Sequence, residues 1–94
     1  MTPTDAAQLQ IVEVELAEAD TLIVVARCLA GTTRPGTRFR RVRNTAQPIN
    51  LTVTELWRYP GLQVKALDAP HAARVILTGT GGDLLRPADL IQDT

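Results

Sequence analysis

The chain has 94 residues, which suffices for one domain and leaves no room for a second hydrophobic core. Ten basic and ten acidic residues give a formal net charge of zero, and the longest apolar run, residues 22–26, is too short to cross a membrane. A single cysteine, Cys28, excludes an internal disulfide, and the N-terminus shows no secretion signal, so we expect a cytoplasmic protein without a membrane partner.

The charges are unevenly distributed along the chain. Residues 1–26 carry five acidic and no basic side chains, whereas residues 27–74 carry nine basic side chains against Glu55 and Asp68. Such asymmetry is typical of a surface that binds RNA or an acidic protein, or of acidic and basic strands that neutralise each other side by side. The balanced total favours neutralisation.

The first predicted strand covers residues 10–16 and is half-buried, because apolar and acidic residues alternate along it. The predicted inward side chains are Val12, Val14 and Leu16, and the predicted solvated ones are Glu13 and Glu15. The second strand, residues 21–30, is apolar on both faces, so we expect other parts of the protein or a partner to pack against both of its faces.

A tight strand-turn-strand unit follows, because Gly31, Pro35 and Gly36 interrupt the apolar run before an arginine-rich strand over residues 37–43. We interpret this unit as a hairpin. Phe39 and Val42 differ in parity, so both point inward only if a bulge lies near Arg40 and Arg41.

The remaining strands are predicted after a polar loop at residues 44–48, and they cover residues 49–57, 63–67, 72–78 and 90–91. In the first of them, Leu51, Val53, Glu55 and Trp57 are expected on one side and Leu56 on the other. Tyr59-Pro60-Gly61 is expected to form a turn.

The predicted fold is all-β: a small six- to seven-stranded antiparallel β-barrel, with at most one helical turn near residues 83–86. The barrel is expected over residues 9–92, between a flexible N-terminus at 1–8 and a short tail at 93–94.

Three stretches resemble domain 2, the β-barrel, of translational GTPases such as elongation factor Tu. Residues 26–42, ARCLAGTTRPGTRFRRV, are similar to the signature G-R-V-x-x-G-x-[IL]-x-x-G-x-x-V and keep Arg27 and both glycines. Residues 75–79, VILTG, are similar to a strand ending in L-x-G, and residues 85–91, LRPADLI, to the closing R-x-G-D-x-[IL] element. Ala88 stands where that element usually has glycine.

The resemblance implies a fold without the family's activity. The sequence contains no P-loop, so we expect no GTP binding. In aminoacyl-tRNA carriers a glutamate in a V-E-x-[FW]-R context helps to bind the tRNA 3′ end, and the similar TELWR of this chain gives that position to Glu55. The asparagine that lines the family's amino-acid pocket is Ala72 here, so charged-tRNA carriage is not expected.

Two functions remain from the sequence, and the first is preferred. A stand-alone barrel would lack the neighbouring domains that it has in the GTPases, so the second apolar face of residues 21–30 would be a protein-interaction or self-association surface. The expected interface residues are Ile23, Val25 and Leu29.

The alternative is binding of RNA or of a ribonucleoprotein such as the ribosome, through the arginine-rich hairpin of residues 34–43 and the TELWR segment. The candidate contacts are Arg34, Arg38, Arg40, Arg41, Arg43, Glu55, Trp57 and Arg58.

Catalysis, metal binding and cofactors are not expected. Cys28 lies among apolar residues and is interpreted as a small buried side chain, and His71, the only histidine, as a turn residue. Glu13 and Glu15 alternate with valines, which is typical of a solvated strand face rather than an acid–base pair. We therefore expect a protein that is not an enzyme.

Overall fold

The structure, a computed structural model, describes residues 6–43, 48–58 and 61–93. Nine β-strands contain most of these residues: β1 (Gln8–Ala17), β2 (Thr21–Ala30), β3 (Thr32–Thr33), β4 (Arg38–Val42), β5 (Pro48–Arg58), β6 (Leu62–Val64), β7 (Leu67–Asp68), β8 (Ala72–Thr80) and β9 (Leu90–Gln92). Within the described ranges, the helical content is one 3₁₀ turn, Gly82–Leu84, close to where the sequence predicts a helical turn.

Six strands close into an antiparallel barrel, so the predicted all-β fold is confirmed. The hydrogen-bonded order is β4-β9-β1-β2-β8-β5, and pairing between β5 and β4 completes the circle. A seventh strand, β6, continues along the edge of β5 beyond the point where β4 ends. The short strands β3 and β7 form a separate pair.

The core fills the barrel and is aliphatic except for Phe39 and Cys28. The inward side of β2 contributes Leu22, Val24, Ala26 and Cys28, all at most 1% exposed. Complete burial of a Leu, Ile or Phe side chain stabilises the fold by about 1.5–3 kcal/mol, so this cluster is the main stabilising feature.

A bulge in β4 confirms the prediction made from the parity of Phe39 and Val42. The pairing of β4 with β5 shifts register between Phe39 and Arg41, and Phe39 and Val42 are both buried. The extra residue of the bulge shifts the alternation of side chains by one position. Phe39 and Val42, which would otherwise point to opposite faces, therefore both face the core.

Bulges also overturn two predictions of side-chain direction. In β1, register shifts on both sides of Val14 leave Val12 48% and Leu16 36% exposed, while Leu9 and Ile11 are buried. In β5, a shift between Val53 and Glu55 reverses the parity.

The consequence in β5 concerns an aromatic side chain. Leu56 is buried in the core, and Trp57, expected on the side of Leu51 and Val53, is half-buried outside it. The expectation of strict alternation along the whole strand is therefore wrong for β1 and β5.

The arginine-rich unit is not a hairpin, which corrects the sequence interpretation of residues 34–43. Both edges of β2 are occupied by β1 and β8, so β4 pairs with β5 and β9 instead. The predicted turn is present, with φ of 65° at Gly31 and 97° at Gly36, and it includes β3, which pairs with β7.

The closed strand order has a consequence for the surface. β2 and β4 are separated by two strands in either direction around the barrel, so they lie on opposite sides. The second apolar face and the arginine-rich strand therefore belong to different surfaces.

Some predictions concern residues outside the described part of the chain. They are the polar loop at residues 44–47, Tyr59 and Pro60 of the proposed turn, most of the N-terminal segment and Thr94. Within the described residues, β1 begins at Gln8 and Ala7 is buried.

Candidate binding face on β2

The three predicted interface residues lie on the outward side of β2. Ile23 and Val25 are half-buried, and Leu29 is 40% exposed. Their neighbours Leu22, Val24 and Cys28 point into the core, because successive side chains of a strand alternate between its faces.

Two cross-strand rows extend this surface onto β1 and β8. Ile23 pairs with Leu16 of β1 and with Ile76 of β8, which makes a row of three apolar side chains. In the next row, Val25 lies between Glu13 of β1 and Arg74 of β8. Directly paired residues share a face, so the rows form one surface. We define the β2 face by these outward residues: Glu13, Glu15, Leu16, Ile23, Val25, Arg27, Leu29, Arg74 and Ile76.

An ion pair crosses the centre of the β2 face. Arg74 Nε donates to Glu15 Oε1 at 2.5 Å, and Arg74 Nη2 donates to Glu15 Oε2 at 3.1 Å. The hydrogen bond from Arg74 keeps the pKa of the Glu15 carboxyl below its usual value. Because β2 separates the two strands, the arginine side chain spans β2 beside Val25, and its methylene groups cover part of the apolar surface.

The acids of the face lie on β1 and its bases lie on β2 and β8. Glu13 and Glu15 lie on β1, Ile23, Val25 and the exposed Arg27 lie on the central strand, and Arg74 lies on β8. Within the described ranges the Glu15–Arg74 contact is the one ion pair within 4.0 Å. Its side chains remain 31% and 53% exposed, respectively, so both are accessible to a partner.

A groove borders the face and contains two of the predicted nucleic-acid contacts. It has a volume of about 270 Å³ and is lined by Val25, Trp57, Arg58, Gly61, Ala72, Ala73 and Arg74. Trp57 Nε1 donates to Glu55 Oε1 at 3.0 Å, which orients the indole ring. The structure therefore brings Glu55, Trp57 and Arg58 together beside Val25.

The other predicted contacts lie elsewhere. Arg38, Arg40 and Arg41 of β4 and the adjacent Arg43 are exposed on the side of the barrel opposite β2. Arg34 lines a second groove, of about 570 Å³, with Thr54 and Lys65 among its neighbours. The predicted arginines are thus divided between separate surfaces.

The acidic first strand does not neutralise the arginines of β4. β9 lies between β1 and β4, and the acid of β1 that forms an ion pair does so with Arg74. Side-by-side neutralisation therefore applies to Arg74, and no described carboxylate pairs with Arg38, Arg40, Arg41 or Arg43 within 4.0 Å.

Groups that could perform chemistry are dispersed. Cys28 is completely buried, and this burial raises the pKa of its thiol. His71 is exposed in the turn before β8, where its Nδ1 lies 3.3 Å from Asp68 O. Over the described ranges, no three His, Cys, Asp or Glu side chains are grouped so that they could hold a metal ion.

Comparison of the chain with protein-family models and with curated proteins gives no match. In the part of the chain that the structure describes, no helix is long and apolar enough to span a membrane.

Sequence reasoning did not assign Leu16, Arg74 and Ile76 to the face. Leu16 was expected to point inward, because strict alternation was extended across the bulges of β1. The alternation of β8 places Arg74 and Ile76 on one side, but their position beside Val25 and Ile23 depends on the register between distant strands.

Proposed function

We propose that this protein is a non-enzymatic interaction module that binds another protein through the β2 face. The observation that carries the proposal is the apolar row of Leu16, Ile23 and Ile76 across three adjacent strands, with Val25 in the next row. Apolar side chains that are contiguous and bordered by charge are typical of protein–protein interfaces.

The contacts of the face support binding rather than catalysis. Its titratable groups, Glu13, Glu15, Arg27 and Arg74, lie on an open outer surface, and the one described thiol is in the core. No step of the proposal needs GTP, a metal or a cofactor. The free Cys28 favours a cytoplasmic location, which we include in the proposal.

The test is retention of proteins from native extract on immobilised wild-type protein and on Val25→Glu. We expect the wild type to retain a defined set of proteins that Val25→Glu loses, because the new carboxylate lies at the centre of the apolar rows. Leu84→Glu is the matched control, since it replaces a leucine that is 56% exposed and lies outside the β2 face.

Loss with Val25→Glu but not with Leu84→Glu supports the proposal. An identical retained set for all three proteins would contradict it. Circular dichroism of each variant establishes that the barrel is intact before the comparison is made.

We also propose that the barrel is of the kind found as domain 2 of translational GTPases. Two backbone features support this assignment. Ala88 has φ of 78° at the position where that domain usually has glycine, and Gly79, the glycine of the L-x-G pattern, has φ of 140°.

RNA binding is the second candidate, favoured by the exposed arginines of β4, for which the described residues provide no carboxylate partner. This surface lies opposite the β2 face, so it would act independently of it. Single-stranded RNA that contacts these arginines should bind more weakly as the salt concentration rises. The double variant Arg40→Ala, Arg41→Ala should reduce the magnitude of the slope of log K against log[salt] by about 1.4. Affinity that is absent, or indifferent to salt, would exclude this function.

A further inference from the structure

We propose that the second groove, beside β6, binds an extended acidic peptide segment of a partner protein, which adds to the outer edge of β6 as a further strand. This site lies outside the β2 face and is independent of the proposed function. We call it the basic groove and define it by its lining residues: Arg34, Pro35, Thr54, Gln63, Val64 and Lys65.

The basic groove lies at a gap along one edge of β5. β8 occupies the opposite edge over residues 50–57. On the edge of the groove, Val53 exchanges two backbone hydrogen bonds, of 2.7 and 2.9 Å, with the turn of residues 34–37, and β6 joins the same edge at Leu56. Between Val53 and Leu56 no described strand pairs with this edge, so the turn and β6 form the two sides of the groove.

β6 provides the backbone groups that a further strand needs. Among the described residues it pairs with β5 alone and stands last in the strand order of the sheet. Residues of an antiparallel pair direct their N–H and C=O groups alternately toward the partner and away from it, so an edge strand presents donors and acceptors to a new strand. Gln63 and Val64 of β6 also line the basic groove, so an extended peptide in the groove contacts this edge.

The two faces of β6 differ in polarity. Val64 pairs with the buried Leu56 and packs against the core, whereas Gln63 pairs with Trp57 on the outer face of the barrel. A strand that adds beside β6 continues this arrangement, because directly paired residues share a face. The peptide should therefore alternate between apolar side chains on the side of Val64 and polar ones on the side of Gln63.

The charge of the basic groove favours an acidic peptide. Its lining includes two exposed bases, Arg34 and Lys65, and no acid, and no described carboxylate lies within 4.0 Å of either base. Arg34 N donates to Thr37 Oγ1 at 3.0 Å and Thr37 N donates to Arg34 O at 2.9 Å, so the backbone that carries this arginine is fixed. Acidic side chains complement both bases, and the edge of β6 favours a peptide over a nucleic acid, which has no main-chain amides to pair with it.

The test titrates the whole ¹⁵N-labelled protein with a short synthetic peptide in which valine and glutamate alternate. The backbone NMR signals of Gln63, Val64 and Lys65 should shift as the peptide is added, and the affinity should fall as the salt concentration rises. A peptide of alternating valine and lysine is the charge control and should not bind.

N-methylation of the peptide tests strand addition without any change to the protein. One peptide is methylated at every valine nitrogen and a second at every glutamate nitrogen. Because successive residues of a strand direct their N–H groups to opposite edges, one of the two peptides should lose at least about tenfold in affinity and the other should keep it. Equal affinities of the two methylated peptides would overturn the proposal.

The double variant Arg34→Ala, Lys65→Ala should bind the acidic peptide about three- to tenfold more weakly than the wild type. Arg40→Ala with Arg41→Ala is the matched control, because it removes the same charge from β4, where Arg41 pairs with Pro48 at the end of β5 away from β6. Absence of peptide binding, or equal losses in the two double variants, would contradict the proposal. Tighter binding of a single-stranded RNA in the groove, or shifts of the same signals with protein concentration alone, would assign the groove to RNA or to a second copy and would also overturn it.

Discussion

Ala88 has a left-handed backbone conformation, with φ of 78°, which no other non-glycine among the described residues adopts. It lies in a turn in which Asp89 N donates to Arg86 O at 3.1 Å, and Ala88 N donates to Ile11 O at 2.7 Å. Pro87 followed by positive φ is the pattern of a type II turn, whose third position favours glycine. The contact with β1 keeps the alanine in a conformation that costs about 1–2 kcal/mol.

Replacement Ala88→Gly should therefore stabilise the protein by about 1 kcal/mol, since glycine adopts this φ without strain. For a domain of this size the midpoint of thermal unfolding should rise by roughly 4–8 °C. Ala19→Gly is the control, because Ala19 is an exposed turn alanine without positive φ, and its replacement should lower stability. A destabilised Ala88→Gly variant would contradict this account of the turn.

The burial and the direction of single side chains were predictable where they depend on the local sequence. Cys28 was expected in the core and lies there. The outward direction of Trp57 was not predictable, because it follows from the bulge between Val53 and Glu55. The proximity of Arg74 to Glu15 depends on the registers of two strand pairs.

At the scale of elements, bulges decide which side chains reach the core. The bulge of β4 was predictable, because two large apolar residues of opposite parity stand in one short strand. In β1 the correct signal was Leu9 and Ile11, which differ in parity from Val12 and Leu16 and mark a change of face within the strand. Alternation is therefore reliable only between bulges.

The contact between β8 and β5 depends on one glycine. A Cβ atom at Gly79 would lie 1.8 Å from Asn50 O and 2.9 Å from Asn50 C, far inside any allowed contact. Gly79 pairs with Leu51 of β5, and its N donates to Asp20 O at 3.0 Å. A side chain here would separate two strands of the closed barrel.

Gly79→Ala should therefore destabilise the protein by about 3 kcal/mol or more, through backbone clash added to strain in φ. Gly36→Ala separates the two effects, since Gly36 also has positive φ but an added Cβ meets no atom within 4 Å. We expect a loss of only about 1 kcal/mol there. Urea unfolding of both variants measures the difference, and equal losses would show that the close approach of β8 to β5 is not important.

At the scale of the whole molecule, the two candidate functions use opposite sides of the barrel. The all-β class and the number of strands were predictable from short strands and close turns. The separation of the apolar and arginine-rich surfaces was not, because it requires the strand order β4-β9-β1-β2-β8-β5, in which neighbours in the sequence are not always neighbours in space. The predicted hairpin of residues 34–43 failed for this reason.

The central claim, that the β2 face is the contact surface, is tested most directly by NMR of methyl-labelled wild-type protein, alone and mixed with the extract proteins that the immobilised protein retains. The methyl signals of Ile23, Val25 and Ile76 should shift or broaden when these proteins are added, while that of Val42 on β4 stays constant. A contradictory result would be β2-face methyl signals that do not change on this addition, together with arginine signals of β4 that shift when a single-stranded RNA is added.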